Sequence, residues 1–384
     1  MTTSASSFDI AIHGAGFVGR TLALLLALQD LRVALIADET KSAVAKDIRA
    51  FSLNPASKDV LERVHAWPLG EAVTPVYCME VFGDAGGELV FDDAGHAPDA
   101  ALNWIVDVPA LEAVLKEQVS REPRVACLTE GDALEAKLHV VCEGRTSRMV
   151  NKLGITMDTI RYPQHAVAAR LICELPHDNA ARQWFTERGE VLALLPMQGR
   201  EVALVWSLES ERAKEMLIAS DTDFTTLLEA SCHKALGAMT LASHRALWPL
   251  MLTRMKPWTG GSASMGEQGH GVWVLAGDAA HAMHPLAGQG LNAGLGDAAL
   301  LAQTLKDVQG DSPLFHPTQT QLTRALRSYA RARQAAIAPM VGVTDGLHLL
   351  FARDSNVFAR ARNLGMSWLN RASSIKKFLI KQAQ

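Results

Sequence analysis

The chain has 384 residues, 48% of them hydrophobic and 20% charged, a balance that supplies a large core and excludes a disordered resting state. Its formal net charge of −4 excludes a general nucleic-acid binder. Cys78, Cys127, Cys142, Cys173 and Cys232 are scattered without a CxxC pair, so no structural metal is expected, and reduced thiols in a cytoplasmic setting are. The opening residues MTTSASSFD show no basic stretch followed by an apolar one, so no signal peptide is expected. No apolar run approaches the roughly 18 residues of a bilayer span, and a soluble, two-lobed protein is expected.

Asp9-Ile10-Ala11-Ile12-His13 predicts a short buried strand, and Gly14-Ala15-Gly16-Phe17-Val18-Gly19 follows it at once. A helix over Arg20–Gln29 and a second strand over Arg32–Ala37 complete a βαβ unit. Gly14 permits the tight turn, Gly16 the close approach of a pyrophosphate, and Gly19 the packing of helix on strand, so the unit predicts dinucleotide binding. The carboxylate that would hold the adenosine ribose belongs at the end of the second strand, where Ala37 stands. Asp38 and Glu39 follow directly, within reach of a ribose if the strand end shifts, and Asp38 is the candidate ligand. Asp47–Leu53 leads into a helix over Asn54–Val64, with Arg49 a candidate phosphate contact or else a surface arginine.

Tyr77–Val81 and Glu88–Phe91, joined by a glycine-rich turn, predict a hairpin, and Val108–Val119 has helical periodicity. Leu138–Cys142 predicts a strand that runs into the polar turn Glu143-Gly144-Arg145-Thr146-Ser147. From Tyr162 to Trp258 the texture changes to alternating strands at Ala166–Cys173, Val191–Pro196 and Glu201–Ser207, interrupted by an amphipathic helix over Thr222–Leu236. This predicts an antiparallel sheet with helices on one side. Trp184, Trp206, Trp248 and Trp258 read mostly as core, with one or two open to a pocket-lining role.

The densest signal comes last, over Gly271–Leu305. A buried strand, Val272–Ala276, ends at Gly277-Asp278, a loop rich in Gly and Pro follows, and a helix runs from Gly290 to Leu305. Gly288 and Gly290 let backbone approach a ligand, and the helix start offers N–H groups to an anion. Asp278, at a strand's carboxyl end, is placed to accept hydrogen bonds from sugar hydroxyls rather than to meet a phosphate.

These three turns together resemble the flavoprotein aromatic hydroxylases related to para-hydroxybenzoate hydroxylase, and in particular their ubiquinone-biosynthesis branch. The resemblance spans nearly the whole chain. Gly14, Gly16 and Gly19 match the family's first motif; Glu143-Gly144 stands where the family has Asp-Gly; and Gly277-Asp278-Ala279-Ala280-His281, His284-Pro285 and Gly288-Gln289-Gly290-Leu291-Asn292 match the third. Leu195-Pro196 and Val205-Trp206-Ser207 resemble the ubiquinone branch, while Arg124–Val141 is shorter than the family's usual meander.

The resemblance implies an α/β fold: a Rossmann-like FAD-binding domain with an inserted antiparallel-sheet substrate domain and a C-terminal helical tail. The expected boundaries are 1–72, 106–161 and 265–335 for the FAD domain, 73–105 and 162–264 for the substrate domain, and 336–384 for the tail. It also implies FAD, an electron donor that is NAD(P)H or another reductase, O2, and hydroxylation of a polyprenylated phenol through a flavin C4a-hydroperoxide. Gly14, Gly16, Gly19, Asp38, Arg49, Asp278, Pro285, Gly288, Gly290, Leu291 and Asn292 are the expected cofactor residues, with the Pro285–Gly288 loop beside the flavin ring. His281 and His284 carry architectural roles on this resemblance, and no catalytic base is assigned. The same chemistry on a small soluble aromatic acid, or a non-catalytic subunit of a biosynthetic complex, are the alternatives. The basic tail 353–384 fits either a peripheral membrane contact, at the inner face of a membrane, or a helical lid with a solvated face.

Overall fold

The computed structural model describes residues 6–37, 47–84, 86–92, 101–130, 132, 134–145, 147–186, 189–261, 271–282, 290–312 and 314–351. The N-terminal part runs β1 (Ser6–His13), α1 (Phe17–Ala27), β2 (Val33–Ala37), β3 (Ala50–Leu53), α2 (Pro55–Arg63), β4 (Val73–Val76), β5 (Cys78–Phe82), β6 (Glu88–Asp92), β7 (Asn103–Asp107) and α3 (Val108–Arg121). It continues through β8 (Val125–Thr129), β9 (Leu134–Val141), α4 (Arg148–Lys152), β10 (Thr156–Cys173), β11 (Ala180–Phe185), β12 (Val191–Pro196), β13 (Glu201–Glu209), α5 (Ser210–Ile218) and α6 (Asp221–Ser231). The chain then forms β14 (Met239–Leu241), β15 (Ala246–Lys256), β16 (Thr259–Gly261), β17 (Val272–Leu275), β18 (His281–Ala282), α7 (Gly290–Gln309) and α8 (Gln319–Phe351).

Three sheets organise these strands. The first has the order β16-β17-β9-β1-β2-β8, parallel except for the antiparallel edge pair β16–β17. Its central strands bury apolar side chains on both faces, as a covered sheet requires: Ile10, Ala11, Ile12, Val140, Val141, Val274 and Leu275 are fully buried. Leu22, Leu25 and Leu26 of α1 and Leu295, Leu301 and Leu305 of α7 join the same core cluster. The parallel sheet, its first βαβ unit and the larger sheet, antiparallel except for its β11–β5 pair, all agree with the expected fold class.

The second sheet runs β18-β15-β10-β13-β12-β11-β5-β6, with β14 beside β10. One of its faces carries Val167, Leu171, Leu192, Leu204 and Trp206 against Phe224 and Leu228 of α6 and Met216 of α5. The third, β3-β7-β4, packs Val76 and Ile105 against Ala181 and Ala203 of the second sheet. Arg170 ties these layers together, donating to the Ile48 and Arg49 carbonyls at 3.0 and 3.3 Å and to Asp107 Oδ2 at 2.8 Å.

Several elements differ in extent from their sequence expectation. The first helix begins at Phe17 rather than Arg20 and ends at Ala27 rather than Gln29, so Gly19 lies inside its first turn. The strand expected over Ala166–Cys173 starts ten residues earlier, at Thr156. Its outer half is largely exposed, carries little apolar signal and contains a register shift between Arg161 and His165, close to Pro163. The helix expected over Thr222–Leu236 stops at Ser231, because His233 and Lys234 take left-handed backbone angles, φ +52° and +54°. Trp184, Trp206 and Trp258 are buried, while Trp248 is half-buried.

Candidate functional site

Strands β17, β9 and β1 are neighbours and parallel, with His13 beside Val141 and Val141 beside Leu275, so their carboxyl ends open at one edge of the sheet. The turns that follow these strands therefore meet. Cys142 N donates to His13 O at 2.7 Å, and Ala276 N donates to Val141 O at 3.0 Å. Gly14 has φ +112°, and a Cβ there would lie 2.5 Å from the Cys142 carbonyl. At Gly19 a Cβ would lie 1.9 Å from Gly14 O, whereas a Cβ at Gly16 would meet nothing within 4 Å. The first and third glycines thus serve the protein's own packing, and the middle one leaves room for a ligand. Gly16 is also the N-cap of α1 and has no side-chain cap, so the helix's first N–H groups remain available to an anion.

The bend after β17 closes on the same helix. Gly277, at φ +63°, and Gly294 of α7 both face Val18, whose Cγ2 would lie 3.1 Å and 2.5 Å from Cβ atoms at these positions. Asp278 occupies a single turn of 3-10 helix, Gly277–Ala279. Burial raises its carboxyl above the usual range, against the pull of Arg145, His281 and Arg49. No described residue donates a hydrogen bond to that side chain, and a Cβ at Gly290 would stand 3.9 Å from its Oδ1.

The remaining expected residues divide. Arg49 is held by Asp47, its Nε and Nη2 reaching the carboxylate at 2.9 and 2.6 Å, and it lies over the Phe51 ring. Asn292 donates to Ser52 O at 2.8 Å and accepts from Asn54 N at 3.1 Å, fixing the start of α7 to the 52–54 segment. Leu291 is buried in the core cluster. Asp38, His284, Pro285 and Gly288 lie outside the described residues. In the second turn, Glu143 accepts from Ser147 Oγ at 2.5 Å and Met149 N at 2.9 Å, and Ser147 caps α4 through Val150 N. This carboxylate braces its own turn.

Two features escaped the sequence. Asp297 of α7 is fully buried and accepts from Gly277 N at 2.7 Å, His281 Nε2 at 2.7 Å and Arg333 Nε at 2.5 Å. Burial would raise its carboxyl, but His281 and Arg333 hold it below the usual range. An acid at a core position among Ala and Leu was the available clue; Arg333, one arginine of several in α8, offered none. The second feature is a stacked pair, His13 Nε2 and His139 Nδ1, 3.1 Å apart. Burial, then the neighbouring His139 and Lys152, lowers His13 to about 3, and burial lowers His139 to about 4.

Among the described residues no group of three or more His, Cys, Asp or Glu side chains is placed to hold a metal ion. The uncapped helix start, the open face of Gly16 and a half-buried carboxyl to which no described residue donates fit a phosphorylated dinucleotide that carries sugar hydroxyls.

Comparison with known proteins agrees. A family model described as an FAD binding domain matches residues 95–314, more than half of the chain. The chain belongs to this FAD-binding family. Among characterised relatives it is 28% identical to the ubiquinone hydroxylase UbiL of Rhodospirillum rubrum, over 98% of this chain and 89% of that one. It is 26% identical to the 3-demethoxyubiquinol 3-hydroxylase of Escherichia coli, over 98% of both. Among solved structures, Pseudomonas aeruginosa PqsL in complex with 2-aminobenzoylacetate superposes with a TM-score of 0.74 at 22% identity, covering 92% of this chain and 99% of that one. The resemblance to FAD-dependent aromatic hydroxylases, drawn from the three motifs, is borne out.

Proposed function

We propose that this FAD-binding family member hydroxylates the aromatic ring of a polyprenylated phenol in ubiquinone biosynthesis, with NAD(P)H or another reductase as electron donor and O2 as co-substrate. The observation that carries this reading is the meeting of three separate bends at one sheet edge, around an open Gly16 and an Asp278 carboxyl to which no described residue donates. When bound and reduced, FAD would supply the electrons that activate O2 for insertion into the ring.

The chain's own residues then have distinct tasks. The N–H groups at the start of α1 hold the pyrophosphate, with Gly16 allowing contact. Asp278 accepts hydrogen bonds from the sugar-alcohol side of the cofactor, where hydroxyl donors would replace the water that its burial removes. Gly290, Leu291 and Asn292 stand on the ring side, where Asn292 fixes α7 to the 52–54 segment. On this reading the parallel-sheet body carries the cofactor, the large antiparallel sheet carries the substrate, and the tail 353–384 meets the membrane in which a prenylated substrate resides. The ubiquinone assignment leans on the activities for which the relatives are named, each aligned over nearly the whole chain.

Deleting the gene in its host tests the proposal. The expected result is loss of ubiquinone with accumulation of a prenylated precursor short of a ring oxygen, reversed by the intact gene. An unchanged quinone profile would contradict it.

A further inference from the structure

Asp278 makes no hydrogen bond of its own to any described residue, so something else must set where its carboxyl points. The turn that carries it is short: Ala280 N donates to Gly277 O at 2.8 Å, closing Gly277–Ala279 on itself. Gly277 N at the start of the turn and His281 Nε2, two residues beyond its end in β18, both donate to one atom, Asp297 Oδ2, each at 2.7 Å. His281 is further fixed by stacking on Trp258, with ring centroids 5.4 Å apart.

Asp297 is itself held from a third element. Arg333 of α8 donates through Nε to Asp297 Oδ1 at 2.5 Å and through Nη2 to the Ala293 carbonyl at 2.9 Å. It comes that close because residue 296 is glycine; a Cβ there would stand 3.1 Å from Arg333 Nη2. The carboxylate is fully buried and the guanidinium largely so. Such a pair seldom repays its desolvation as stability, so a positional use is the more economical account of its presence.

We infer that Asp297 and Arg333 are positioning residues for the cofactor: the Asp297 carboxylate clamps the Gly277–His281 segment at its first and last residues and thereby aims Asp278 between them, while Arg333 fixes the carboxylate. This deepens the proposed function and rests on FAD lying at the three bends. What aims Asp278 is one acceptor atom shared by two N–H groups. The charge on that acceptor matters less than its place.

Two double variants separate these roles. Asp297→Leu with Arg333→Met replaces the ion pair by apolar groups of similar size and removes the acceptor. Asp297→Asn with Arg333→Met also removes both charges but keeps an amide oxygen at the acceptor position. Flavin-free protein is titrated with FAD by fluorescence quenching, with Tm recorded on each variant. The account expects FAD to bind about tenfold or more weakly to the Leu/Met variant and within about threefold of wild type to the Asn/Met variant, since a lost charge-assisted bond commonly exceeds the ~1.4 kcal/mol of one decade. Equal FAD affinity in the two variants, whether retained or lost, overturns the clamp. Should the Leu/Met protein not fold, His281→Phe keeps the ring on Trp258 and removes one N–H; a threefold or greater loss of FAD affinity supports the clamp, and none overturns it. Gly16→Val separates the two levels of the account, because a Cβ at that position meets nothing of the protein within 4 Å. If FAD binding collapses in Gly16→Val and both double variants match wild type, the clamp fails and the cofactor site stands. If FAD binds unchanged in all of them, both fail.

Discussion

Gly14, Gly16 and Gly19 are alike in sequence but not in cost. A side chain at Gly14 or Gly19 collides with backbone at 2.5 and 1.9 Å, so Gly14→Ala and Gly19→Ala should lower Tm and FAD affinity together. A Cβ at Gly16 meets nothing within 4 Å in the protein, so the flavin-free Tm of Gly16→Val should stay close to wild type while FAD binding falls at least about tenfold. Thermal melts beside FAD titrations check this, and parallel losses of both in Gly16→Val would contradict the assignment. The histidine pair makes a pH prediction. Both groups start from 6.5 unfolded and fall to about 3 and about 4 when folded, so the unfolded chain binds protons that the folded chain refuses. Their stabilising contribution is complete above pH 6.5 and is lost as pH falls towards 4 and then 3, at up to about 1.4 kcal/mol per histidine per pH unit. Urea unfolding across that range should show the slope, and His13→Val with His139→Val should flatten it. At this scale the glycines and Asp278 were legible, because backbone approach and strand-end acids leave a pattern. The Asp297–Arg333 pair was not, since it joins residues 36 apart on separate helices.

At the scale of elements, Arg170 is the pin between the antiparallel sheet and the segment leading to β3. Its guanidinium satisfies the Ile48 and Arg49 carbonyls and also pairs with Asp107, the N-cap of α3. Arg170→Met should cost about 2 kcal/mol in urea unfolding, because it leaves part-buried acceptors unpaired, and should loosen the Asp47–Arg49 pair beside the cofactor edge. A loss below about 0.5 kcal/mol would show the layers to be held by packing alone. Glu143→Ala removes the acceptor for Ser147 Oγ and Met149 N and should cost about 1 kcal/mol, the worth of a helix-start brace, with little change in FAD affinity. That contrast with Asp278 is informative: two acids follow two adjacent parallel strands, one occupied by its own turn and one left undonated by the described chain. Buried strands and strongly apolar helices were readable from periodicity. The outer half of β10 was not, because a strand exposed on both faces around Pro163 carries neither alternation nor an apolar run.

For the whole molecule, the fold class followed from the order of apolar runs and glycine turns, and it is the parallel order β17-β9-β1-β2 that turns three distant motifs into one edge. No helix among the described residues is long and apolar enough to cross a membrane. The most direct test of the central claim is an experimental structure of the protein with FAD bound. The account predicts the pyrophosphate within hydrogen-bonding distance of the Gly16 amide and the start of α1, with the sugar-alcohol chain against Asp278. FAD bound elsewhere, leaving Gly16 and Asp278 facing solvent, would contradict it.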